Sequence, residues 1–198
     1  MWNDRYAIED FVFGTAPSQF LVARQDYLES GMTALAVADG EGRNSVFMAR
    51  KGLRVTAMEA APNAIAKGRK LARAHHVEVE FVEADIFDWD WDATQYDVVA
   101  GIFFQFMGPE DRATVFDGMK RAVAPGGLLM IHGYTPKQLE YGTGGPGVAE
   151  NLYTEDLLAE AVAGWEVLCL ESYETELDEG AGHSGMSALI DLIARKPG

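Results

Sequence analysis

The chain has 198 residues, 48% of them hydrophobic, and a formal net charge of −15. That length and apolar content suit one globular domain burying about two thirds to three quarters of its unfolded surface. The charge excludes a nucleic-acid partner, whose phosphates need a basic stripe, and the one cysteine, Cys169, excludes an internal disulfide and a cysteine zinc cluster.

From the N-terminus, Asp4, Glu9 and Asp10 stand where a signal peptide would carry a basic start and an apolar core. No apolar run approaches the roughly 20 residues that span a bilayer. A soluble, cytoplasmic protein without a membrane partner is expected. Pro17 opens a helical pattern with Phe20, Leu21, Tyr27 and Leu28 on one face, closed by Gly31. Leu35 to Ala38 reads as the first strand, and the helix after it ends near Lys51, with Gly52 suited to the left-handed position beyond. Leu53 to Met58 is the second strand. Pro62 fits the first turn of a helix ending near His75-His76, where a helix-dipole interaction explains the two imidazoles. Val77 to Val82 is the third strand and Tyr96 to Ile102 the fourth.

Pro109 to Val123 is helical, with Val115, Phe116, Met119 and Val123 on its apolar face. Pro125-Gly126-Gly127 turns the chain into a fifth strand, Leu128 to His132. A Gly-rich loop, 141–147, precedes a short helix capped by Thr154. Two strand-like runs, about Glu166 to Leu177 and Ser187 to Arg195, are joined by Asp178 to Gly185, short enough for a hairpin. Cys169 lies in an apolar alternation and reads as a small core residue. The expected fold is α/β: a single doubly wound, Rossmann-like sheet of about seven strands with an antiparallel C-terminal strand. Residues 1–198 form one domain, and residues 1–30 are an arm and helix over its site.

Gly40-x-Gly42 after an apolar strand, and Glu59 at the end of the next, make up a nucleoside-binding half of such a sheet. The glycines admit a ligand to the backbone, and the acid can accept both ribose hydroxyls. Asp85, after the third strand, stands where an adenine amino group can donate. A dinucleotide fingerprint wants a third glycine, but Ser45 follows, and the terminal hairpin also departs from dehydrogenase sheets.

With these residues the chain resembles a class I S-adenosylmethionine-dependent methyltransferase, and more narrowly the small bacterial tellurite-resistance and thiol methyltransferase group. The specific pieces are Trp2-Asn3-Asp4-Arg5-Tyr6, Phe13-Gly14, Gly40-Glu41-Gly42-Arg43-Asn44, Glu59, Asp85, Ala124-Pro125-Gly126-Gly127, Gly144-Gly145-Pro146, and Glu179-Gly180 with His183 and Gly185. The resemblance implies S-adenosyl-L-methionine as cofactor, held by Ala38, Gly40, Gly42, Asn44, Glu59, Ala60, Asp85, Ile86 and Ile102. It departs from the family at Ala36 and Ala38, where an acid and a glycine are usual; Asp39 is set aside, because taking it as the motif acid puts Glu41 on the first glycine.

A small-molecule acceptor, such as a thiol or related soft nucleophile, is expected beyond the carboxyl ends of the strands, near Phe13, Phe104, Tyr134 and His183. The run Ile102-Phe103-Phe104-Gln105-Phe106 contains none of the Asn-Pro-Pro-Tyr segments that hold a planar amino group, and no Pro-Cys pair. No metal site is expected. His183 is the candidate catalytic residue, taking a proton or holding an anionic acceptor, with Glu179 in the same turn placed to fix its tautomer. Two rival readings are an adenosine-binding protein of this fold without transferase activity, suggested by Ala36 and Ala38, and a nicotinamide-dependent oxidoreductase, disfavoured by the missing third glycine.

Overall fold

The structure, a computed structural model, describes residues 2–180 and 182–198, so Ala181 in the hairpin turn lies outside them. Seven strands belong to a mixed sheet, and two compact units divide the chain. The first unit comprises Met1–Trp89 with Glu179–Gly182, the second Asp90–Asp178 with His183–Gly198.

In the first unit, helices α1 (Trp2–Arg5) and α2 (Gln19–Ala23) precede β1 (Thr33–Val37), α3 (Arg43–Arg50), β2 (Arg54–Glu59), α4 (Pro62–Ala74) and β3 (Glu80–Glu83). The strands lie in parallel order β3-β2-β1, with Val37 opposite Met58 and Glu59 opposite Glu83. Helix α4 begins on Pro62, whose missing N–H costs nothing at a helix start. It buries Ala64, Ile65, Gly68, Leu71 and Ala72, one stripe at helical spacing. Two boundaries differ from the sequence reading. The helix expected from Pro17 stops at Ala23 and tightens into a 3-10 turn at Gln25–Tyr27. The third strand starts three residues late, because His76 is left-handed (φ 55) and the Val77 N–H bonds back to the Ala72 carbonyl at 3.1 Å, closing α4.

The second unit holds β4 (Tyr96–Ile102), α5 (Pro109–Ala122), β5 (Val123–Tyr134), α6 (Gln138–Tyr141), α7 (Glu155–Ala161), β6 (Glu166–Asp178) and β7 (Ser184–Arg195). Strand order is β4-β5-β7-β6, and β7 runs against both β5 and β6. The expected fold class, with its antiparallel last strand, is the one observed. The Thr154 side chain caps α7 by accepting the Leu157 N–H at 3.2 Å. The Pro-Gly-Gly segment is a kink inside β5, where Gly126 and Gly127 pair with Lys196, rather than a turn ahead of it.

Strand β7 is the centre of this unit's core. Ala188, Leu189, Ile190, Leu192, Ile193 and Ala194 are all buried, and each large aliphatic contributes about 1.5–3 kcal/mol by leaving water. One charged residue, Asp191, interrupts that run and is equally buried, so it needs partners. Cys169 is half-buried on β6, whose residues are mostly exposed, and is not the core residue its alternation suggested.

Candidate cofactor cradle and acceptor cluster

Beyond β1 the backbone turns left-handed at three places: Ala38 (φ 49), Gly40 (φ 62) and Gly42 (φ 87). Ala38 occupies the position where the resembled family has glycine, at a cost of roughly 1–2 kcal/mol for an L-residue. Its conformation supports the register through Gly40 and Gly42. The two glycines have different duties. A Cβ on Gly40 would stand 3.1 Å from the Tyr6 hydroxyl, whereas one on Gly42 would stand 2.7 Å from the Gly68 Cα in α4. Gly42 therefore permits helix packing, and Gly40 keeps the turn open beneath a side chain that can move.

Glu59, at the carboxyl end of β2, accepts the Gly40 N–H and the Ala61 N–H, each at 2.9 Å. Burial raises its pKa, and the backbone donors pull against that rise. Ala60 beside it is exposed. Asp39, set aside in the sequence reading, is a half-buried acid of this turn. It accepts the Ser45 N–H at 3.2 Å and the Ser45 hydroxyl, tying the glycine turn to the first turn of α3. Desolvation pushes its carboxyl up to about 7 against those hydrogen bonds. With Ala36 in place of the family acid, Asp39 fastens the loop from within. The available signal was an acid six residues ahead of a serine at a helix start.

Asp85 is exposed after β3 and bonds the Phe87 N–H at 3.0 Å, while Ile86 is buried. Asn44 lies in the first turn of α3, and its Oδ1 accepts the Ser18 N–H at 2.9 Å, which ties the N-terminal arm to that helix. That arm is clamped further. Buried Glu41 pairs with Lys67 at 2.7 Å and accepts the Phe13 N–H at 3.3 Å. The Trp2, Tyr6 and Phe13 rings cluster with centroids 5.9–6.5 Å apart, and the Arg5 guanidinium lies 5.1 Å from the Trp2 and Phe13 rings. Phe13 thus belongs to the arm's aromatic cluster. Glu179 pairs with Arg43 at 2.7 Å and accepts the Gln19 N–H at 2.7 Å. One carboxylate oxygen serves each contact.

In the second unit four rings gather where β4 and β5 end. Half-buried Ile102 closes β4, opposite His132 of β5. Phe103, the next residue, has φ 54 and packs edge-on against His183 at 4.1 Å and His132 at 4.6 Å, with Tyr134 at 4.9 Å. Tyr134 and His183, both expected near the acceptor, lie with their rings 5.7 Å apart. Phe104, expected at the acceptor, is 2% exposed and packs in the core against Phe116 and Tyr153, whereas Phe103 is the ring that meets the histidines. Sequence reasoning also missed His132, whose Nδ1 lies 2.7 Å from Asp191. The Tyr173 hydroxyl donates to the same carboxylate oxygen at 3.1 Å.

Residues 34–127 match the family model described as a methyltransferase domain. No curated protein matches the sequence. Among solved structures, a protein described for the conversion of a disulfide bond into a thioacetal group during echinomycin biosynthesis is 18% identical, with 96% of this chain and 85% of that one covered at TM-score 0.77. TehB from Haemophilus influenzae is 20% identical over 98% of this chain and 65% of its own, TM-score 0.72. The N-methyltransferase NodS from Bradyrhizobium japonicum, in complex with S-adenosylhomocysteine, is 14% identical over 100% and 97%, TM-score 0.73. These likenesses are of fold. Together with the matched domain, they support an S-adenosylmethionine-dependent methyltransferase, with that sulfonium compound as its cofactor. Among the described residues no helix is long and apolar enough to cross a membrane.

Proposed function

We propose that the protein, one methyltransferase domain over 1–198, transfers the cofactor's methyl group to a small soft nucleophile, a thiol above all, in the cytoplasm. The observation that carries this reading is the ring cluster of Phe103, His132, Tyr134 and His183. Such a wall is apolar enough to strip water from a polarisable acceptor, yet holds imidazoles that can manage its proton. The sulfur chemistry described for the echinomycin protein supports it; NodS, an N-methyltransferase, is the counterexample within the same fold.

In this reading the glycine turn and Glu59 hold the adenosine end of the cofactor, the ribose hydroxyls displacing the Gly40 and Ala61 N–H groups as partners of the carboxylate. Ala38 and Gly40 face the methionine portion. Asp85 and Ile86 serve the adenine, the latter through its backbone, and Ala60 and Ile102 complete the contacts. The arm, residues 1–30, covers the turn through Tyr6, with Phe13 behind it. His183 holds the acceptor and assists its deprotonation.

The sulfonium methyl is already activated, so the chain's work is alignment. Bringing nucleophile, methyl and sulfur into line contributes up to roughly 7–11 kcal/mol. A screen of S-adenosylmethionine against matched thiols, phenols and amines, followed by mass detection of methylated product, tests the reading. Product with thiols at the highest kcat/KM supports it. Preferential methylation of amines or phenols overturns the acceptor class while leaving the methyltransferase itself intact.

A further inference from the structure

Asp191 is a carboxylate in the middle of an otherwise apolar, fully buried strand, and burying a charge there is costly unless it is paired. Its partners are specific. Asp191 lies opposite His132 in the β5–β7 register, and one carboxylate oxygen takes both His132 Nδ1 at 2.7 Å and the Tyr173 hydroxyl at 3.1 Å. With Nδ1–H donating to Asp191, the ring's basic lone pair is on Nε2, at the opposite edge. His132 also accepts the Phe103 N–H through its backbone carbonyl at 2.9 Å, and Phe103, left-handed and bulky, is the residue that packs on His183. Strain in a non-glycine residue at a strand's carboxyl end is characteristic of functional positions. A packing role alone would be met by a leucine pair at lower cost.

From this geometry we infer that Asp191, His132 and Tyr173 form a proton-accepting relay for methyl transfer, His132 being the base and Asp191 and Tyr173 its positioning residues. The inference rests on the reading of the ring cluster as the acceptor wall. For a thiol acceptor, the S–H bond breaks as its electron pair forms the new S–C bond. The methyl–sulfonium bond breaks with its pair remaining on the sulfur of S-adenosylhomocysteine, and the proton goes to His132 Nε2. Asp191 neutralises the imidazolium that results. The relay extends the enzyme to acceptors that are still protonated at neutral pH. Other titratable groups face it: Cys169 and Glu171 on β6, with donor atoms within 4.8 Å of that of Asp191, and His183 and Tyr134 in the ring cluster.

The test compares pH profiles of the wild type, Asp191→Asn and Tyr173→Phe, using whichever acceptor class the screen returns. Asp191→Asn should lower kcat at neutral pH by about 10-fold or more, with S-adenosylhomocysteine affinity and acceptor KM little changed. The acid limb of kcat/KM should move by about one pH unit, a shift that lost packing does not produce. Tyr173→Phe, on a half-buried residue, should show a smaller loss of the same kind, and decides the matter if Asp191→Asn does not fold. Nitrogen NMR of the imidazoles gives a readout without any acceptor: His132 should carry its proton on Nδ1 in the wild type. An unmoved acid limb in a folded variant, or an Nε2-protonated His132, overturns the relay. If thiols are methylated normally while these variants match the wild type, the relay fails and the proposed acceptor class stands.

Discussion

The Glu59 carboxylate holds the Gly40 N–H on one oxygen and the Ala61 N–H on the other, each at 2.9 Å. One acid thus joins the glycine turn after β1 to the first residues beyond β2 and sets two strand ends at a fixed spacing.

Removing that acid should therefore weaken cofactor binding more than it weakens the fold. Glu59→Ala loses hydrogen bonds to a charged acceptor, each worth about 1.5–3 kcal/mol, and the expected drop in S-adenosylhomocysteine affinity is about 10-fold or more. Calorimetry checks it. Affinity unchanged in a folded variant removes Glu59 from the ribose site.

The two glycines of the turn should separate in their effects. Gly42→Val drives a side chain into the Gly68 backbone at a left-handed position and should cost about 1–3 kcal/mol or more of stability. For a chain of this size each kcal/mol lowers the melting temperature by about 2–4 °C. Gly40→Ala meets only the end of the Tyr6 side chain. It should melt closer to the wild type yet bind cofactor less tightly. Equal melting losses in both variants contradict this division.

Asp39 gives stability a pH dependence of unusual sign. Its folded pKa, about 7, lies above the ordinary aspartate value of 3.8, so between those values the folded state binds the proton and the unfolded state does not. The proton-linked stabilisation is complete below about pH 4, falls as pH rises, and is gone above about pH 7. Asp39→Asn abolishes this contribution. Urea unfolding at pH 5 and pH 8 should show the wild type losing more stability between the two values than the variant does. Parallel changes in the two proteins exclude Asp39 as the titrating group.

His183→Ala should reduce turnover by about 10²-fold, with S-adenosylhomocysteine affinity nearly untouched. For a thiol the defect should shrink as pH approaches the thiol's own pKa, because the anion then forms without help. Steady-state kinetics from pH 6 to 9 decide it, and wild-type turnover throughout leaves His183 as a hairpin residue.

Much of the fold was legible because local signals agreed. Pro62 and Pro109 opened their helices, Thr154 capped its own, and the hairpin spacing gave an antiparallel last strand. Boundaries slipped where the backbone alone decided, as at His76. The glycine turn was readable as a motif, and Ala38 is left-handed where the resembled family has glycine. Asn44 and Glu179 were legible as polar residues in motifs, but not their partners, since Ser18 lies 26 residues from the one and Gln19 160 from the other. His132 and Asp191 were hidden for the same reason. They are 59 positions apart, and only the β5–β7 register brings them together. Of two adjacent phenylalanines, the sequence favoured Phe104; the positive φ at Phe103 turns that ring to the histidines and leaves Phe104 in the core.

Calorimetric titration of the wild type with S-adenosylhomocysteine and, separately, with NAD is the most direct test of the cofactor cradle. Saturable binding of S-adenosylhomocysteine at one site per chain, weakened in Glu59→Ala, with no heat from NAD, is the expected result. Binding of NAD, or no S-adenosylhomocysteine binding by a folded protein, overturns the assignment of the Gly40–Glu59 turn to a methyl donor.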